Sequence, residues 1–571
     1  MRKHLRELSR EEYEYYMKIS AGEVPADLVF KDISYLDVFT NEFKKGDVAL
    51  YKGLIVGAGS YSGKQEVDGR GKTLVPGFID AHLHIESTTV VPEIFAKEAL
   101  KHGTTAVITD PHEIANVMGT DGIRYMLEAS NGIPLDIFFM MPSCVPSCEF
   151  DETGATILAE DLAEFFRINK VLGLAEVMNT PGVINRQKEV LDKVYEFLDK
   201  DRLIDGHAPE VVGNPLVTYI AAGVMSDHES VTLEEALEKI SNGMRIMIRE
   251  GTAAKNLETF IGLFKEPFAS RCMMCCDDLH IDDIINTGHI DNNIRKAISL
   301  GAEPEMAYKV ASLGACNYLR FSDRGVIAPG CLADIVMLDD VETVKINAVY
   351  KHGIKITDEY LDKYCKSRIS KALIDKSHNT FNMPNVTADM LKAESTLPVI
   401  SIIKGQIITV RDGEASDVDI DLDILKGVVV ERHKNTGHIG IGYVKGYGLK
   451  KGAIATSVAH DAHNIIAIGI NDEDIAAAVN AVKDMKGGMV VYSDNKVKAA
   501  YPLPVAGLMS EESAEAAKRC LDEVHAAAYE NGVYEDIDPF MNLSFMSLPV
   551  IPDMRITTLG VFDVLNWKLV K

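Results

Sequence analysis

Apolar residues between about 75 and 277 fall in short runs with few polar interruptions, and the stretches between them carry the spacing of amphipathic helices. The first run is Leu74-Val75-Pro76-Gly77-Phe78-Ile79-Asp80-Ala81, followed by Thr105-Ala106-Val107-Ile108-Thr109 and Leu135-Asp136-Ile137-Phe138-Phe139-Met140. Val171-Leu172-Gly173-Leu174-Ala175, Leu203-Ile204-Asp205-Gly206 and Gly223-Val224-Met225-Ser226-Asp227 continue the series. Arg245-Ile246-Met247-Ile248-Arg249 and Cys272-Met273-Met274-Cys275-Cys276 bring it to eight. Runs apolar on both faces are what parallel strands buried on both sides require. Segments such as 92–100 and 191–198 supply helices between them. Eight strand-helix units predict an α/β fold, a TIM-like (β/α)8 barrel, over residues 75–319.

The flanks have a different rhythm. Residues 26–30, 47–51 and 54–57 alternate like short strands before the barrel, and Gly325 to Leu338 reads as more strand after it. The polar stretch 375–382 marks a boundary to a C-terminal α+β domain, residues 376–571, with strands at 428–430 and 465–468 and a helix over 474–482. The charged, helix-patterned N-terminus is unlike a signal peptide, and no stretch approaches the roughly 20 apolar residues of a membrane span. A cytoplasmic protein with no membrane partner is expected.

Composition narrows the partners. A chain of 571 residues exceeds one core and should form two to four domains. Its 59 basic against 85 acidic residues give a net charge of -26, which repels phosphate backbones and argues against nucleic acid. A small neutral substrate suits it better. The nine cysteines, three of them in one buried-strand pattern, read as reduced structural thiols rather than a disulfide framework.

The candidate chemistry sits where the strands stop. His82 and His84, two residues apart on an extended strand, share a face and can grip one divalent metal. Other runs end at Glu176, His207, His228 and the pair Asp277-Asp278, and a barrel would gather all of these at the C-terminal ends of its strands. A one-residue shift at the last strand end exchanges the faces of Asp277 and Asp278, so either can be the ligand.

Pro-Gly-Phe-Ile-Asp-Ala-His-Leu-His at 76–84 resembles the amidohydrolase superfamily of metal-dependent hydrolases. Residues 84–88, 109–117, 206–210, 226–229 and 276–278, with 458–464 and 548–555 beyond the barrel, resemble its bacterial adenine deaminase branch over nearly the whole chain. The resemblance implies that 1–74 and 320–375 pair into one small β-domain. It implies a binuclear site of His82, His84, Glu176, His207, His228 and Asp277, with Glu176 standing where dihydroorotase-like members carry a carboxylated Lys. Mn(II) is the expected metal, with Fe(II) or Zn(II) as alternatives, and two such cations would supply hydroxide near neutral pH. The implied reaction converts adenine to hypoxanthine and ammonia, in purine salvage.

Proton roles are then expected of Glu210, by its His-x-x-Glu spacing from His207 and for ring N1, and of Asp277, for the leaving amine. Asp278 should face the purine, with Glu229 a rival proton carrier. Glu86, His112 and Glu113 should line the site from the first loops, unless Asp110 and Pro111 merely start a helix there. The family also suggests a homo-oligomer, a dimer or larger.

Competing readings are fewer. His84-Ile85-Glu86 with Cys144 and Cys148 imitates a cytidine-deaminase zinc motif, but the cysteines are misspaced and the other strand-end ligands stay unexplained. His433, His438, His460 and His463 offer a weaker second metal cluster, or a packing, substrate-access or oligomer role. The alternatives to adenine deamination are a cyclic-amide amidohydrolase, as in dihydroorotase or hydantoinase relatives, or a silent scaffold, which predicts missing ligands.

Overall fold

The computed structural model describes residues 3–393, 395–403 and 408–570. Parallel strands Phe78–Leu83, Thr104–Thr109, Asp136–Met141, Val171–Val177, Leu203–Gly206, Ser226–Asp227, Arg245–Arg249 and Cys272–Cys275 follow one another around a barrel. Backbone hydrogen bonds from Asp277 N–H to His82 O at 3.0 Å and from His84 N–H to Asp277 O at 3.2 Å close the last strand on the first. Between the fifth and sixth strands the ladder thins, and Met225 N–H to Ile204 O bridges them. The interior is filled by Ile79, Ala81, Ala106, Ile108, Met140, Ala175, Met247 and Met273, alternate residues of these strands.

The apolar run at 74–81 divides between two sheets. Thr73–Pro76 is an antiparallel partner of Ile335–Asp340, from beyond the barrel, and also pairs with Ala26–Asp37. The strands before and after the barrel thus share one eight-stranded sheet, built from residues 26–76 and 335–355. Gly77 then turns the chain into the first barrel strand. The expected strand over Gly325 to Leu338 starts only at Ile335, because Pro329 and Gly330, at φ 78°, turn the chain before it.

The C-terminal region is a second eight-stranded sheet, with helices Asp472–Asp484 and Ala514–Glu530 packed on it and the hairpin Met554–Thr557 with Gly560–Asp563 at the end. Helix Asp472–Asp484 buries Ile475, Ala478, Val479 and Val482 on one face, at the spacing the sequence predicts. The loop between strands Ala453–Thr456 and Ile465–Gly469 reaches over the barrel mouth, where Asn464 Nδ2 donates to Glu152 O at 2.8 Å. Ser510 N–H to Thr89 O at 2.8 Å and Val91 N–H to Ser510 O at 3.0 Å stitch the same seam. Among the described residues no helix is long and apolar enough to cross a membrane.

Candidate metal centre and active site

Each strand-end residue follows from where its apolar run stops, and the barrel brings them into one buried cluster of His82, His84, Glu176, His207, His228 and Asp277. Glu176 divides it in two. Its Oε1 lies 3.3 Å from His84 Nε2 and 3.9 Å from His82 Nε2, while its Oε2 lies 2.8 Å from His207 Nδ1 and 3.1 Å from His228 Nε2. Asp277 Oδ1 completes the first half, 3.4 Å from His82 Nε2 and 3.2 Å from His84 Nε2. Asp277 holds a φ of 61°, a left-handed conformation that an L-residue adopts at some cost. With that turn Asp277 faces the histidines, and Asp278 Oδ1 accepts from Ser87 Oγ at 2.5 Å.

The donor set fits divalent cations. His84 donates from Nδ1 to Asp110 O at 3.0 Å, which leaves Nε2 free to ligate a cation. His82 Nε2 is buried and has no hydrogen-bond partner, an orphan that a cation would satisfy. Imidazoles and carboxylates without thiolate suit Zn, Mn or Fe(II). Burial opposes charge on Glu176, but His228, His207 and His84 outweigh it and hold the carboxyl well below its usual range. His228 is raised to about 9, since Glu176 overcomes the effect of burial.

Arg249 belongs to this site, although an arginine closing a strand run is not itself a metal ligand. It is buried at the end of the seventh strand, with Nη1 2.6 Å from Asp277 Oδ2 and Nη2 3.0 Å from Glu229 Oε2. The guanidinium fixes both carboxylates and lowers Glu229 against the effect of burial.

The first-loop residues divide. His112 lies with Nδ1 2.7 Å from Asp110 Oδ2, so Asp110 holds an imidazole instead of capping the helix His112–Met118, whose N-cap is Pro111. Glu86 stands behind the pocket, its Oε1 accepting from Ile114 N–H at 3.2 Å, and burial raises its carboxyl to about 7. Glu113 faces the pocket and meets His460 Nδ1 at 2.6 Å and His463 Nε2.

Glu210 is not in the cluster. After His207 the chain leaves the strand in a turn, with Glu210 at φ 59°, its N–H bonded to Glu235 Oε1 at 2.9 Å and its side chain exposed. Its three-residue spacing from His207 would put the two on one face only in a helix.

The C-terminal histidines also part. His460 joins the pocket wall beside Asp461, Phe545, Leu548 and Ile551. His433 Nε2 bonds Ala462 O at 2.7 Å, and His438 Nδ1 meets Glu152 at 3.0 Å on the surface. His460 and Asp461 both lie in the 458–464 motif, but nothing in a loop's composition says which domain it leans on, and Phe545 falls in no motif. Cys144 and Cys148 are free buried thiols.

The chain resembles known proteins along its length. Residues 73–387 match the family described as amidohydrolase family, and 402–568 match the adenine deaminase C-terminal domain. An adenine deaminase of Clostridium acetobutylicum is 44% identical over 558 residues, 96% of this chain and 98% of that protein. One of Desulfatibacillum aliphaticivorans is 44% identical over 95% of this chain and 96% of its own length. An adenine deaminase 2 of Carboxydothermus hydrogenoformans is 42% identical over 97% of this chain and 98% of its own.

Proposed function

Since the chain belongs to the amidohydrolase family, in its adenine deaminase branch, we propose that it hydrolyses adenine to hypoxanthine and ammonia at the mouth of the barrel. The observation that carries this reading is the two-sided Glu176, with one oxygen toward His84 and the other toward His207 and His228. His82, His84 and Asp277 with Glu176 would hold one divalent cation, and His207 and His228 with Glu176 a second. Bound there, two cations supply hydroxide near neutral pH.

The chain's own groups do the rest. Asp277 would take the proton of the attacking water and deliver it to the departing N6 amine, and Arg249, on its other oxygen, supports that role. Asp278, half-buried beside Asp277 and bonded to Ser87, lines the pocket and is the carboxyl we assign to ring N1 in place of Glu210. Burial and the neighbouring Asp277 raise its carboxyl, which favours carrying a proton. Glu229, clamped by Arg249, supports the His207–His228 side as an acceptor. Leu548, Ile551 and Phe545 exclude water from the far wall.

We place Mn(II) first as the metal, with Fe(II) or Zn(II) as alternatives. Purine salvage, the cytoplasm and a homodimer or larger assembly complete the reading. The test is ammonia and hypoxanthine release from adenine by metal-stripped protein reloaded with Mn(II). Turnover that Asp277→Asn and Asp278→Asn lose and Glu210→Gln keeps is the expected result. No turnover by fully loaded protein overturns the adenine assignment, and restoration by Zn(II) alone overturns the choice of Mn(II).

A further inference from the structure

The loop between Ala453–Thr456 and Ile465–Gly469 presents two polar groups to the pocket that the deamination chemistry does not use. Asp461 is 2% exposed, yet its Oδ2 has no hydrogen-bond partner, and His460, 3% exposed, has an unpartnered Nε2. Buried polar atoms in a native site are nearly always paired, so two orphans on one wall point to a ligand.

The neighbouring groups fix how His460 is presented. Ala459 N–H donates to His463 Nδ1 at 3.2 Å, so His463 carries its proton on Nε2 and gives it to Glu113 Oε2. That tautomer withdraws His463 from metal binding and explains Glu113 as an acceptor for two imidazoles. Its other oxygen takes the Nδ1 proton of His460 at 2.6 Å, which leaves Nε2 for the pocket. The His460 ring is locked by stacking on Phe545, 4.6 Å between centroids at 14°, and Ser547 Oγ bonds its carbonyl at 3.1 Å.

Asp461 stands at a definite remove from the reacting end. His112 spans the gap, with Nδ1 3.7 Å from Glu176 Oε1 and Nε2 3.7 Å from Asp461 Oδ2. An imidazole with a contact on each side is about the reach of a fused bicyclic base. A purine with C6 at the Glu176 cluster would therefore set its five-membered ring against the C-terminal wall. Free adenine and hypoxanthine carry one N–H on that ring, shared between N7 and N9, whereas N9-substituted purines present only a lone pair there.

Resting on adenine as the substrate, we propose that Asp461 accepts this ring N–H and His460 Nε2 addresses the adjoining edge of the ring, so that the C-terminal domain selects free bases against N9-substituted purines. A site built to bond a substrate N–H rejects the analogue without it strongly, because the buried acceptor is left unpaired.

The test uses full-length, metal-loaded protein and the non-reacting product pair hypoxanthine and 9-methylhypoxanthine in equilibrium dialysis. Wild type should prefer hypoxanthine by about 100-fold or more. Asp461→Ala should weaken hypoxanthine by roughly 10- to 100-fold and bring the two ligands within about fivefold of each other. Asp461→Asn, which keeps an acceptor oxygen, should fall between, and it secures the comparison if the alanine variant does not fold. His460→Gln should weaken both ligands alike and leave their ratio unchanged. An Asp461→Ala protein that keeps the wild-type ratio overturns the proposal, as does a wild type that binds both ligands equally. Absence of ammonia from adenine with wild type overturns the deaminase reading instead, and is seen before any variant is compared.

Discussion

Glu176 keeps its charge in the barrel mouth because imidazoles face both of its oxygens, His84, His207 and His228 the nearest. Glu176→Gln retains the shape and loses the charge, so we expect metal content after dialysis to fall with more than about 100-fold weaker binding, and turnover to fall with it. Full metal content in that variant would remove Glu176 from the ligand set. Asp151 tests burial apart from the metal. It bonds Ser147 Oγ at 2.9 Å, and burial, with Asp461 nearby, raises its carboxyl from 3.8 to about 8. Between those values the folded state holds a proton that the unfolded state releases, so stability falls as pH rises through this window and the cost is complete above it. Asp151→Asn keeps an acceptor and should raise the thermal midpoint little near pH 4 and progressively more toward pH 9, a gain on the order of a few kcal/mol. An equal gain at both ends would refute the shift. The strand-end residues were legible because a charged or imidazole side chain closing a two-sided apolar run has few structural reasons to be there. Glu210 misled because its spacing assumes a helix where the chain turns, and Arg249 was passed over because it binds no metal, although it too closes such a run.

At the level of elements, the barrel's strands were readable one by one, since each is short, apolar on both faces and separated from the next by helical periodicity. The joint between sheets was not, because Leu74 to Ala81 reads as one run, apolar but for Asp80, while its two halves bury against different layers. Gly77 makes that joint. A Cβ there would sit 2.4 Å from Thr105 Oγ1 and 2.6 Å from Thr105 Cγ2, on the buried second barrel strand. Overpacking of this kind costs about 1–3 kcal/mol, so Gly77→Ala should lower the thermal midpoint, and Thr105→Ala in the same chain should recover most of it. Additive losses in the double variant would show that the two positions do not collide. The loop at 457–464 illustrates the other limit. Its histidines were visible in the sequence, but its pairing with Glu113, about 350 residues away, depends on which face of the C-terminal sheet meets the barrel.

On the scale of the whole molecule, the site is closed by parts that each depend on another. The sheet beside the barrel is completed from both of its flanks, the barrel supplies the proposed metal ligands, and the C-terminal domain supplies His460, Asp461, Phe545, Leu548 and Ile551 to the pocket lining. Charge binds them further: four imidazoles, the carboxylates of Glu176, Asp277 and Glu229, and Arg249 are buried together, and an arrangement that leaves His82 Nε2 without a partner is stable only to the extent that cations are worth more to the folded chain than to the unfolded one. Metal should therefore act as a folding ligand for the molecule as a unit. Chelation should lower the thermal midpoint of the barrel and of the C-terminal domain in one step, since the Glu113 contacts with His460 and His463 couple the two. Add-back should raise it in proportion to the logarithm of free metal, with about 2.7 kcal/mol of stabilisation at a concentration 100-fold above Kd. Calorimetry of stripped and reloaded protein measures this directly. A midpoint unmoved by verified metal loss would mean that the cluster is stable on its own hydrogen bonds, and a C-terminal transition that ignores the metal while the barrel responds would break the coupling across the Glu113 seam.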